Sequence, residues 1–200
     1  MLFLRRPTAE AIRAFLASQA RLDLTYSAVG TTTTNPPTGY VVDHTRMRLG
    51  AGEKIFAAAK EALERWQQFR LGWLEASPED TPIKEGQVVA ILARSNGLWW
   101  LNACRIVIVL DEDGPVQRFG FAYGTLPDHA GSGEERFLVE WDREDDSVWY
   151  DILAFSRPRH FLARIGYPWV RRTQKRFGRE SAAVMRQVAR SAITACVRND

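Results

Sequence analysis

Two hundred residues, 46% hydrophobic and 26% charged, suit one domain (1–200) that buries about 70% of its unfolded surface without staples. No apolar run approaches the ~20 residues that span a bilayer, and MLFLRRPTAEAI puts its apolar residues before its arginines, so neither an integral membrane protein nor a secretory signal is expected. The net charge of +3 hides an asymmetry: residues 157–200 carry eleven Lys and Arg against Glu180 and Asp200, a net +9 that leaves −6 for the remainder.

Residues 7–20 predict a short helix, opened by Pro7 and Thr8, with Ile12, Phe15 and Leu16 as its apolar face. Residues 26–39, with TTTT and NPPTG, form an irregular connection. Residues 40–49 alternate as a strand does, with Val41 and Met47 on one face and Tyr40, Val42, His44, Arg46 and Arg48 on the other. Gly50 and Gly52 end it. Residues 53–68 predict a second helix through Ile55, Phe56, Ala59, Leu63 and Trp66.

The period then shortens. Residues 71–76 are extended, SPEDTP turns, and residues 87–94 make a strand that Asn96-Gly97 links to the next as a tight hairpin. Residues 98–110 (LWWLNACRIVIVL) are apolar on both faces. Strands at 116–125, 137–142 and 148–155 follow, separated by an irregular loop LPDHAGSG and the acidic turn 143–146. Neighbour-to-neighbour order predicts an antiparallel meander. The last stretch, 158–200, predicts a long helix with Gly166 and Pro168 at its start. Val170, Thr173, Phe177, Ser181, Val184, Val188, Ala192 and Ala195 form its apolar stripe, and Arg172, Lys175, Arg176, Arg179, Arg186 and Arg190 its basic back. The fold class is therefore α+β: a sheet that must curve around one helix, with Gly120 and Gly124 available for bends and room for a cavity between.

Catalytic motifs are lacking: no phosphate loop, dinucleotide fingerprint, HExxH or GxSxG occurs. His44, His129 and His160 are scattered, so neither a metal site nor a cofactor is expected. Cys104 and Cys196 lack ligand spacing and read as buried free thiols of a soluble, cytoplasmic protein. Arg105, Glu140 and Asp151 sit inside apolar strands, where they either face solvent and pair structurally or line a pocket. Tyr123, Tyr150, Trp99, Trp100, Trp141 and Trp149 are core or cavity wall. The polar loop 124–135, with Asp128, His129, Glu134 and Glu135, is a rim or a solvated hairpin end. The basic face 171–190 is solvated or meets an acidic partner. Without a helix-turn-helix or interleaved aromatics, specific nucleic-acid binding is not expected, and the stripe needed for the sheet leaves little to insert into lipid.

YVVDHTRMRLGAGEKIF, FAYGTLPDHAGSGEERF and AFSRPRHFLARIGYPWVRRTQKRFGRES resemble the family called Domain of Unknown Function nineteen-ninety, found in bacteria and plants. The likeness covers nearly the whole chain, and its order of elements resembles the helix-grip fold of the Bet v 1 and START-like superfamily. That resemblance implies about seven curved antiparallel strands around a C-terminal helix, with a cavity suited to a lipid or other hydrophobic small molecule. Arg105, Tyr123, Glu140, Tyr150, His44 and Trp100 are then the candidate ligand-binding residues. An enzyme using the same cavity, with Glu140 or His44 as acid or base, is the alternative.

Overall fold

The computed structural model describes residues 1–159 and 166–197, with side chains followed to residue 194. His160, Arg164 and Arg198, and the side chains of Ala195 and Cys196, lie outside the described residues. The chain order is β1 (Leu2–Phe3), α1 (Ala9–Gln19), β2 (Val41–Ala51), α2 (Glu53–Glu64), β3 (Leu74–Ser77), β4 (Val88–Ser95), β5 (Leu98–Glu112), β6 (Val116–Thr125), β7 (Gly131–Asp142), β8 (Ser147–Pro158) and α3 (Tyr167–Val197).

Local chemistry sets several of these boundaries. Thr8 Oγ1 accepts from the Ala11 N–H at 3.2 Å and so caps α1, supplying a partner to one of the amides a helix start leaves unpaired. Asn96 and Gly97 both take positive φ (51° and 76°), the geometry a two-residue hairpin needs to match strand twist. From β2 to β8 the strands form one antiparallel sheet in the order β2-β8-β7-β6-β5-β4-β3, and β1 pairs with β5. Curled into a half-barrel and closed by α3, this is the expected helix-grip arrangement.

Both faces of the sheet are covered. On the inner face Val89, Cys104, Ile106, Phe121, Phe137, Val139, Tyr150 and Ile152 pack with Phe56, Ala59 and Leu63 of α2 and Phe177, Ala182, Met185 and Ala189 of α3. On the outer face α1 lays Ile12, Phe15 and Leu16 on Ala90, Leu92, Leu101 and Ala103. That explains why β5 reads as apolar on both sides. The buried stripe of α3 centres on Phe177, Ser181, Ala182, Met185 and Ala189, with Val184 and Val188 at its half-buried margin, a rotation of part of a turn from the predicted line. Helix and β2 approach closely at Gly178, where a Cβ would stand 2.7 Å from Thr45 Oγ1. Gly120 and Gly124 also mark close approaches: a Cβ there would meet Phe137 O and Tyr26 Oη, each at 2.2 Å.

Strand β7 begins at Gly131, six residues before the predicted start, so GSGEER is strand and the loop shrinks to 126–130. This segment pairs with β8 from Gly131↔Pro158 onward and, from Glu134, with β6 as well, so it runs through the middle of the sheet.

Candidate ligand-binding site

Alternation decides which side chains meet inside. On β7 the inner series is Glu135, Phe137, Val139 and Trp141; Glu134, Arg136, Leu138 and Glu140 take the outer face. Glu135 is thus the acidic member of an otherwise apolar inner row. Its cross-strand neighbour is Tyr123, whose hydroxyl donates to Glu135 Oε2 at 2.7 Å. Among the described residues Glu135 has no second hydrogen-bond partner, and no cation lies close enough to pair with it.

Burial pushes the Glu135 carboxyl up to about 7; the hydrogen bond from Tyr123 pulls the other way, and the charge of Asp43 adds to the rise. Although desolvated, Glu135 is only half-buried. The same holds for Asp43 and Thr45 on β2, Ala154 and Ser156 on β8 and Gln174 on α3. These side chains occupy one end of the inner face, and solvent reaches each of them. Two polar ties fix the helix over this end: Arg171 clasps Asp43 with both terminal nitrogens, one at 2.6 Å, and Gln174 Nε2 donates to Ser156 Oγ at 2.9 Å. Deeper in, Tyr150 shares a hydrogen bond with Ser181 at 3.0 Å, and Phe69, Phe137 and Phe177 close the floor.

The six residues singled out from sequence divide between the faces. Tyr123 and Tyr150 lie on the inner face, and Trp100 takes an inner position opposite Ala93. Arg105 does not: it stands on the outer face and donates to the carbonyls of Ala20 and Leu22, both at 2.8 Å, clamping the chain after α1. Glu140 and His44 are also outside. Burial pushes the Glu140 carboxyl up, but hydrogen bonds from Arg118 and Arg46 outweigh it and hold the group ionised below its usual range. His44 Nε2 lies 2.7 Å from Asp151, which also accepts from Arg136 at 2.8 Å. Glu140 and His44 are held in polar networks, and Arg105 by backbone carbonyls, on the side away from α3, so none of the three lies under the helix. Trp149 and Trp99 belong to the outer face as well, whereas Trp141 packs inside.

The polar segment 124–135 also separates. Glu134 is fastened by the Tyr26 hydroxyl, the amides of Gly30 and Thr32 and the Thr32 hydroxyl, so it anchors the connection before β2 to the outer face. Gln19 Nε2 donates to Asp128 at 3.0 Å, and burial drives His129 down to about 4, leaving it neutral beside the Gly131 amide. Only Glu135 turns inward. The signal for it was present: it has the parity of Phe137, Val139 and Trp141. Among the described residues no cluster of three or more His, Cys, Asp or Glu could hold a metal ion, and no helix is long and apolar enough to cross a membrane.

The family model described as "Domain of unknown function (DUF1990)" matches residues 25–184. The chain is 41% identical over 145 residues to a UPF0548 protein of Dictyostelium discoideum, spanning 68% of this chain and 67% of that one. It is 34% identical over 200 residues to a UPF0548 protein of Deinococcus radiodurans, spanning 94% and 99%. Among solved structures, hypothetical protein jhp0584 from Helicobacter pylori superposes with a TM-score of 0.50 at 12% identity, covering 84% of this chain and 99% of that one.

Proposed function

Given that the chain belongs to the DUF1990 family and has a helix-grip fold, we propose that it binds a hydrophobic small molecule between the sheet and α3, with Glu135 taking the molecule's polar end. One observation carries this reading: a desolvated carboxyl on an aromatic face with one oxygen unengaged by any described residue, at a position solvent reaches. Its second oxygen is left to solvent, and a ligand hydroxyl or amine that displaces the water would supply a donor there. The aromatic floor suits an apolar body, and Asp43, Arg171, Gln174 and Ser156 form the polar rim.

The reading is tested with dodecanol, dodecylamine and dodecanoate as probes, followed by native mass spectrometry. The alcohol and amine should bind in preference to the carboxylate, and Glu135→Gln should narrow that preference about tenfold, the value of one charge-assisted hydrogen bond. Preference for dodecanoate, or no retained probe, would overturn it. A second reading, an enzyme moving a proton through Glu135, is favoured by a carboxyl poised at about 7. It requires the bound compound to be recovered chemically changed by the native protein and unchanged by Glu135→Gln.

A further inference from the structure

Arg172, Lys175, Arg179, Arg186 and Arg190 of α3 are all exposed, and none makes a salt bridge with a described residue. Their successive spacings of three, four, seven and four residues place them on one stripe about 60° wide and about 27 Å long. Neighbouring cations off that stripe are neutralised: Arg171 by Asp43, and Arg176 by Glu180. The fold thus ties the charges beside the stripe in ion pairs and leaves those on it without a salt bridge to any described residue.

Two further features bear on what such a stripe meets. Arg186, Gln187 and Arg190 rim a recess of about 340 Å³ whose remaining lining, Met47 and Ala183, is apolar. At the start of the helix Trp169 is 53% exposed and donates its indole N–H to Ser95 Oγ at 3.1 Å, and near the far end Ile193 is 49% exposed. A nucleic-acid duplex offers a charged backbone but nothing apolar for the recess or for exposed Ile193. An anionic bilayer surface offers both headgroup charge and an interface where indole rings settle. We infer that α3 docks the protein on an anionic lipid surface, with the cationic stripe on headgroups and Trp169 and Ile193 at the acyl boundary.

This inference stands independently of what occupies the inner face. The full chain is sedimented with vesicles of phosphatidylcholine alone and with about 30% phosphatidylserine, a composition that attracts basic side chains by roughly fivefold in affinity each. Binding is expected only to the anionic vesicles and should weaken with salt. Arg186→Gln/Arg190→Gln should lose about 30-fold at an unchanged melting temperature. Trp169→Ala should weaken vesicle binding while sparing heparin binding, and Glu135→Gln should leave vesicle binding untouched. Equal binding to both vesicles, or to neither, would overturn the inference. So would tighter, steeply salt-dependent binding to duplex DNA that is indifferent to Trp169→Ala, which would make the stripe a nucleic-acid surface.

Discussion

Tyr123 and Glu135 stand directly opposite each other on β6 and β7, and the tyrosine hydroxyl is the carboxyl's hydrogen-bond donor inside the sheet. The bond does not offset the burial, which leaves Glu135 titrating at about 7 instead of 4.5. Between those values the folded chain holds a proton that the unfolded chain has released. The contribution is therefore complete below pH 4.5 and is lost as pH rises through 7, about 3 kcal/mol in all. His129, lowered by burial from 6.5 to about 4, contributes an opposite slope over nearly the same range, so the Glu135 effect is read as a difference. The melting temperature of the native protein minus that of Glu135→Gln should fall between pH 4.5 and 7. Parallel curves would mean that Glu135 is solvated.

Phe177 stacks on Phe69 at a centroid distance of 5.4 Å and meets Phe137 edge-on at 6.2 Å, and it is 8% exposed. Phe177→Ala should cost about 3–5 kcal/mol, since the rings around it cannot collapse into the space without breaking their own contacts. Phe177→Asp should cost more, because it faces an unpaired charge with the same rings. Urea titration reads both; a loss under 1 kcal/mol for either would place the helix's packed side elsewhere.

The architecture was readable because period and turn chemistry agree locally. Val41 and Met47 share one face of β2, Asn96-Gly97 makes the hairpin, and β6 spans 116–125 as alternation predicts. The beginning of β7 was not readable in the same way. GSGEER looks solvated because adjacent glutamates usually point to water, yet here the donors that satisfy Glu134 lie 102–108 residues earlier in the chain. Arg105, Glu140 and His44 lie on the outer face, and this too was not legible in the sequence. Alternation separates a strand into two faces, but which face α3 covers depends on tertiary packing, and all three share the parity of the side it leaves open. Extending the Phe137–Val139–Trp141 series back by two residues would have reached Glu135.

Arg105 offers a direct check of that division. Its guanidinium holds the carbonyls of Ala20 and Leu22, so Arg105→Ala should remove about 1–2 kcal/mol of stability as two charge-assisted hydrogen bonds are lost. Probe binding under α3 should be unchanged. A variant with normal stability and impaired binding would return Arg105 to the site.

Asp151 anchors the outer network: it is 2% exposed, lies 2.7 Å from His44 Nε2, and accepts from Arg136 at 2.8 Å and from Arg46 at 3.3 Å. Burial pushes its carboxyl up, but the bonds from His44 and Arg136 outweigh this, and the net shift is down from 3.8. A carboxyl lowered by folding stabilises above its unfolded value, and that stability disappears as pH falls through the folded one. Native protein should therefore lose stability below about pH 3.8, and Asp151→Asn should lose less there while starting lower at pH 7. Asp151→Ala should cost about 3 kcal/mol or more at pH 7, because Arg136 is only 14% exposed and would keep an uncompensated charge beside its unpaired Nε. The double variant Asp151→Ala/Arg136→Leu should recover part of that loss in urea titration. If it is no more stable than Asp151→Ala alone, the stranded guanidinium is not what the single substitution exposes.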